Sequence, residues 1–83
     1  MNKNILLVED EPDLNQTISF NLDSEGYSVE STFNGTDALK SIDSKIPDLV
    51  LLDLMLPDMS GLEICRILRS AKKTKNIPIM MVT

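Results

Sequence analysis

The chain has no histidine and no tryptophan, and a single cysteine, in 83 residues. Without His there is neither a Ser-His-Asp triad nor a Cys-His nucleophile pair, and a lone Cys65 supports neither a disulfide framework nor a zinc site. Basic residues are also scarce. Eight Lys and Arg against 13 Asp and Glu leave a net charge of −5, which argues against direct nucleic-acid binding by this segment. Long apolar runs are missing too: the longest mainly apolar stretch, Asp48 to Leu56, is interrupted by Asp53 and falls far short of the ~20 residues that span a bilayer. Met1-Asn2-Lys3-Asn4 leads into four apolar residues and then acids, so no signal peptide is expected and a cytoplasmic location is the default. Repeats, low-complexity tracts and linkers are absent. Any chemistry must therefore use carboxylates, hydroxyls, backbone groups or Lys.

A hydrophobic fraction of 42% with 25% charged residues is that of a folded domain, and the length allows one core. Ile5-Leu6-Leu7-Val8 and Leu49-Val50-Leu51-Leu52 read as strands buried on both faces, as in parallel sheets. Pro12 suits the first turn of a helix over roughly 12–25, with Leu14, Ile18 and Leu22 as its apolar stripe and Gly26 as its stop. Phe20 lies off that stripe and is expected to be exposed or covered by a partner. Tyr27 to Thr32 alternates like a half-exposed edge strand. Asn34-Gly35 turns into a short helix carrying Ala38, Leu39 and Ile42 and ending near Ser44. Ser60 and Glu63 have capping-box spacing at the start of a third helix that runs to about Ser70, with Cys65 in its apolar set. Lys72, Lys73 and Lys75 fall in a basic surface loop, and Pro78 to Val82 forms a fourth buried-type strand in which Met80 and Met81 fill the core.

The order β-α-β-α-β-α-β implies an α/β fold with a parallel sheet, right-handed crossovers and helices on both faces. Ligands of such sheets bind beyond the carboxyl ends of the strands. The acids lie there. Residues 1–48 hold ten acids and three bases, densest at Glu9-Asp10-Glu11, while Asp53 directly ends the third strand. In the usual flavodoxin-like order strands one and three are neighbours, so Glu9 or Asp10 should converge with Asp53. Two carboxylates about 5 Å apart repel by roughly 3 kcal/mol at an effective dielectric of ~20, which protonation or a hard divalent cation such as Mg2+ relieves. Glu11 and Asp13 are read instead as caps of the first helix.

These residues carry a specific resemblance. Ile5-Leu6-Leu7-Val8-Glu9-Asp10-Glu11, the run from Asp48 through Asp53 and Pro57 to Glu63, and Ile77 to Thr83 resemble, in order and spacing, the receiver domain of two-component response regulators. The resemblance implies a flavodoxin-like (CheY-like) sheet of order 2-1-3-4. It makes Asp53 the phosphoacceptor, which as a carboxylate needs no general base. It makes Glu9 and Asp10 the acid pair holding Mg2+, with Asp10 the direct ligand and Glu9 acting through water. Met55 matches the position whose backbone carbonyl completes the coordination, and Thr83 the switch hydroxyl. Implied partners are a sensor histidine kinase and an output domain, here expected to control transcription. Such a domain is a phosphoacceptor that assists its own phosphorylation and is not a turnover enzyme.

Receiver domains continue with a fourth helix, a fifth strand ending in Lys and a fifth helix, so residues 1–83 are expected to be the N-terminal two-thirds of one. Lys72, Lys73 and Lys75 precede the fourth strand and do not replace that Lys. Self-association through the fourth strand or beside Phe20 is expected in consequence. Two other readings exist. A phosphohydrolase of the haloacid dehalogenase type would want Asp where Met55 stands, and an unphosphorylated interaction module would have no need of Glu9, Asp10, Asp53 and Thr83 together.

Overall fold

The computed structural model describes residues 2–82. Four strands, β1 (Asn4–Val8), β2 (Ser28–Thr32), β3 (Leu49–Leu52) and β4 (Ile79–Met81), form one parallel sheet of order β2-β1-β3-β4. Between them run α1 (Pro12–Ser24), α2 (Gly35–Ser44) and α3 (Gly61–Ser70). This is the expected architecture, with β2 at one edge and the consecutive aliphatics of β1 and β3 at the centre.

The period-two alternation of β1 and β3 divides the core into two layers. Leu6, Val8, Val50 and Leu52 face α2 and α3, meeting Ala38, Ile42, Ile64 and Leu68. Ile5, Leu7 and Leu51 face the other way, toward Ile18 and Leu22 of α1. Each fully buried aliphatic contributes roughly 1.5–3 kcal/mol, so the two central strands dominate stability. Cys65 packs against the first layer, as its place among the α3 aliphatics implied.

The α1 stripe differs from expectation at its first position. Leu14 is 40% exposed, whereas its neighbour Asn15 is the buried residue of the helix. The inward face is therefore Asn15-Ile18-Leu22. Phe20, off that face, is 70% exposed. The helix closes in a Schellman motif: the Tyr27 N–H donates to Leu22 and the Gly26 N–H to Asp23, with Gly26 at φ 96°. Tyr27 thus belongs to the helix stop, and β2 begins one residue later.

Two further expectations fail. Met80 is 56% exposed and Met81 is also exposed, so they are not core fill; β4 is a short outer strand whose methionines are only partly covered. At α3, Ser60 Oγ accepts from the Leu62 N–H, while the Glu63 N–H bonds the Ser60 carbonyl. Ser60 caps the helix, yet no reciprocal capping box forms.

Candidate functional site: a carboxylate cluster at the strand ends

Register puts the acids together. Val8 is level with Leu52 across the β1–β3 ladder and with Thr32 across β1–β2, so Glu9 and Asp53 leave the sheet side by side. The Asp53 N–H donates to the Val8 carbonyl (2.9 Å) and the Glu9 N–H to the Thr32 carbonyl (3.1 Å), carrying the ladders one step past the strands. Carboxylate oxygens of Glu9, Asp10 and Asp53 all lie within 4.8 Å of one another, with Glu9 and Asp53 buried and Asp10 exposed.

Glu9 is the least solvated acid of the three, at 2% exposure. Its Oε2 accepts from the Glu11 N–H at 3.0 Å, but Oε1 is buried with no hydrogen-bond partner. Burial pushes the Glu9 carboxyl above its ordinary range; the Glu11 N–H partly opposes this, and the charges of Asp53 and Asp10 push it further up. A buried oxygen without a donor is costly unless an unmade bond is supplied. A water held on a hard cation supplies it, and Mg2+ takes oxygen ligands from one or two carboxylates while keeping several of its waters. The residues present therefore fit such an ion.

The frame around the cluster comes from polar groups that periodicity alone does not single out. The buried Asn15 amide donates to the carbonyls of Glu9 (2.9 Å) and Thr32 (3.0 Å), and Thr32 Oγ1 donates to the Leu7 carbonyl (2.9 Å). These bonds fix the point where the chain turns from β1 into α1. Glu11 caps α1 as expected, accepting from the Asp13 and Leu14 N–H groups at 2.7 and 3.0 Å. On the other side, a Cβ at Gly61 would collide with the Asp53 carbonyl and press on Leu54, and the Gly61 N–H donates to the Leu54 carbonyl at 2.7 Å. The start of α3 is thereby seated on the backbone that carries Asp53.

Met55 lies beside the cluster, its N–H donating to Asp53 Oδ1 at 3.3 Å and its side chain turned to solvent. Thr83 lies outside the described residues. Lys72, Lys73 and Lys75 are exposed in the loop after α3, and no membrane-length apolar helix occurs among the described residues. The acid that sequence reading missed is Asp58, whose carboxylate bonds the start of α2. Its position directly after Pro57, in a segment read as a plain loop, was the available signal.

Comparison with known proteins agrees with the fold. The chain is 42% identical over 79 residues to the phosphate regulon transcriptional regulatory protein PhoB of Rhizobium meliloti, covering 95% of this chain and 35% of that protein. It is 42% identical over 83 residues to the alkaline phosphatase synthesis transcriptional regulatory protein PhoP of Bacillus subtilis, covering all of this chain and 34% of that protein. The chain thus spans about a third of the length of these curated relatives. Among solved structures, the response regulator TrrA of Thermotoga maritima superposes with a TM-score of 0.87 at 40% identity, over 95% of this chain and 67% of that one. Residues 5–83 match the model of the response regulator receiver domain, and the chain belongs to that family.

Proposed function

We propose that Asp53 accepts a phosphoryl group in a Mg2+-dependent reaction, and that the chain is the switch-bearing part of a two-component transcriptional regulator. The observation that carries this reading is the buried, partnerless Glu9 Oε1 set within 4.8 Å of Asp10 and Asp53 oxygens at the carboxyl edge of the sheet. Asp10, Asp53 and the Met55 backbone carbonyl are the proposed direct ligands, and Glu9 holds the ion through water. When bound, Mg2+ supplies the positive charge that offsets the growing negative charge on the phosphoryl oxygens. A structure of the relative TrrA is described as a complex with Mg(2+)-BeF, which supports the same occupancy here.

Asp53 performs the nucleophilic step. A carboxylate oxygen attacks phosphorus, an acyl phosphate forms, and the bond from phosphorus to the donor breaks, with the donor's imidazole or small-acid leaving group departing. A carboxylate nucleophile needs no general base, so a chain without His lacks nothing for the attack. The Met55 N–H on Asp53 Oδ1 orients the carboxylate. The proposed donor is a sensor histidine kinase or a small phosphodonor. Thr83 is the proposed switch hydroxyl, and the proposed location is cytoplasmic. The exposed Phe20 and Met80, with β4 at the sheet edge, support self-association or contact with the rest of a longer regulator.

The test is fluorine NMR with beryllofluoride. Protein-bound fluorine resonances should appear with Mg2+ and vanish on chelation or in Asp53→Asn. Bound resonances of equal intensity in Asp53→Asn would reject Asp53 as the acceptor.

A further inference from the structure

The segment from Asp53 to Ser60 has to hold a backbone in place without regular structure of its own. Its base is closed by an antiparallel bridge between Met55 and Ser60 and by the Gly61 N–H on the Leu54 carbonyl. Its tip needs a separate anchor, and Asp58 is placed to be one. Asp58 Oδ1 accepts from the Gly35 N–H at 2.8 Å, and Oδ2 accepts from the Thr36 N–H at 2.9 Å and the Thr36 hydroxyl at 2.7 Å. The first two donors belong to the first turn of α2, whose N–H groups have no partner within the helix. A carboxylate also faces the positive end of the helix dipole there. Beside it, the Met59 side chain packs on the core and lies over Gly35 so closely that a Cβ at Gly35 would strike it. Two consecutive residues of the tip are thus fastened to the start of one helix, one by hydrogen bonds and one by packing.

We infer that Asp58 is a positioning residue for the phosphoacceptor site: by tying the tip of the Met55–Ser60 loop to α2, it holds the Met55 backbone where it meets Asp53 and the metal. This rests on the metal reading given above. Asp58 touches neither the carboxylate cluster nor any reacting atom. It acts through a loop clamped at both ends, so that the N–H and carbonyl of Met55 are set rather than sampled. The three bonds also hold the Asp58 carboxyl down to about 2, so the clamp stays charged at any pH where the site could work.

The experiment compares the chain with Asp58→Ala, Asp58→Asn and Thr36→Val by Mg2+ titration, amide hydrogen exchange and thermal melting. Removing an outer partner that orients a metal ligand commonly weakens metal binding by 10–100-fold. For a clamp acting on a single backbone ligand we expect the low end, about tenfold for Asp58→Ala and a smaller, several-fold loss for Thr36→Val. Asp58→Asn keeps one acceptor oxygen and should fall between. Exchange at the Met55 and Leu56 amides should quicken in the same rank order, while amides of β1 and β3 stay protected. Since Thr36→Val leaves the carboxylate and two of its bonds in place, it reports on the clamp even if Asp58→Ala folds poorly. Unchanged Mg2+ affinity in folded Asp58→Ala, with the parent chain binding normally, would overturn the positioning role. A parent chain that binds no Mg2+ would instead reject the metal reading, and the positioning role with it.

Discussion

Asp53→Asn should make the metal-free protein more stable while abolishing its response to Mg2+. Three carboxylates whose oxygens lie within 4.8 Å of one another form three repulsive pairs, two of which include Asp53. At an effective dielectric of ~20 a pair at that distance is unfavourable by about 3 kcal/mol. The pair with exposed Asp10 is screened toward the ~0–1 kcal/mol of surface charges. Relaxation of the side chains reduces the other. A net gain of about 1–3 kcal/mol for the variant remains, and at about 4–8 °C per kcal/mol for a domain of this size the melting temperature should rise by roughly 5–20 °C in chelator. Asparagine keeps an oxygen to accept the Met55 N–H. For the parent chain, Mg2+ at ten times its dissociation constant should add about 1.4 kcal/mol. The assay is thermal melting followed by circular dichroism, each protein in chelator and in Mg2+. A variant that melts at or below the parent in chelator, or that still gains stability from Mg2+, would refute the electrostatic account of the cluster.

Other predictions follow from the same geometry. Asn15→Leu should destabilise by about 2–4 kcal/mol in urea unfolding, because it leaves the Glu9 and Thr32 carbonyls buried without their amide donor, whereas Leu14→Ala on the exposed side should change stability little. Gly61→Ala should destabilise by about 1–3 kcal/mol and weaken Mg2+ binding measured by calorimetry, since the added methyl meets the Asp53 backbone rather than a flexible side chain. Asp58 has a folded pKa of about 2 against an ordinary 3.8, so its stabilising contribution is present above 3.8 and lost as pH falls through 2. The difference in melting temperature between the parent and Asp58→Asn should accordingly be constant at pH 5–7 and shrink toward pH 2. Phe20→Ser should leave the melting temperature unchanged within the ±0.5 kcal/mol typical of surface sites, while lowering any concentration-dependent sedimentation.

Much of this fold is legible in the chain because its strongest signals are not local compromises. Ile5–Val8 and Leu49–Leu52 are continuous aliphatic runs that suit a strand buried on both faces, and each is followed at once by an acid, which marks the strand's carboxyl end. Strand adjacency then brings Glu9, Asp10 and Asp53 together without further information. Hydropathy fails where a polar group is buried for its hydrogen bonds. Asn15 takes the first inward position of α1, so the apolar stripe was misplaced by one residue onto Leu14. It fails again at Met80 and Met81, whose apolar character predicts burial although both are exposed on the outer strand. Asp58 is a third kind of case: its partners, Gly35 and Thr36, are 23 and 22 residues away, and no spacing rule connects a loop acid to the start of a preceding helix.

The central claim is that Asp53 is the acceptor of a Mg2+-dependent phosphoryl transfer, and acetyl phosphate labelling followed by peptide mapping tests it most directly. The chain should gain one phosphoryl group in Mg2+, the label should map to position 53, and chelation or Asp53→Asn should remove it. Equal labelling of the parent chain and Asp53→Asn, or labelling indifferent to Mg2+, would contradict the account.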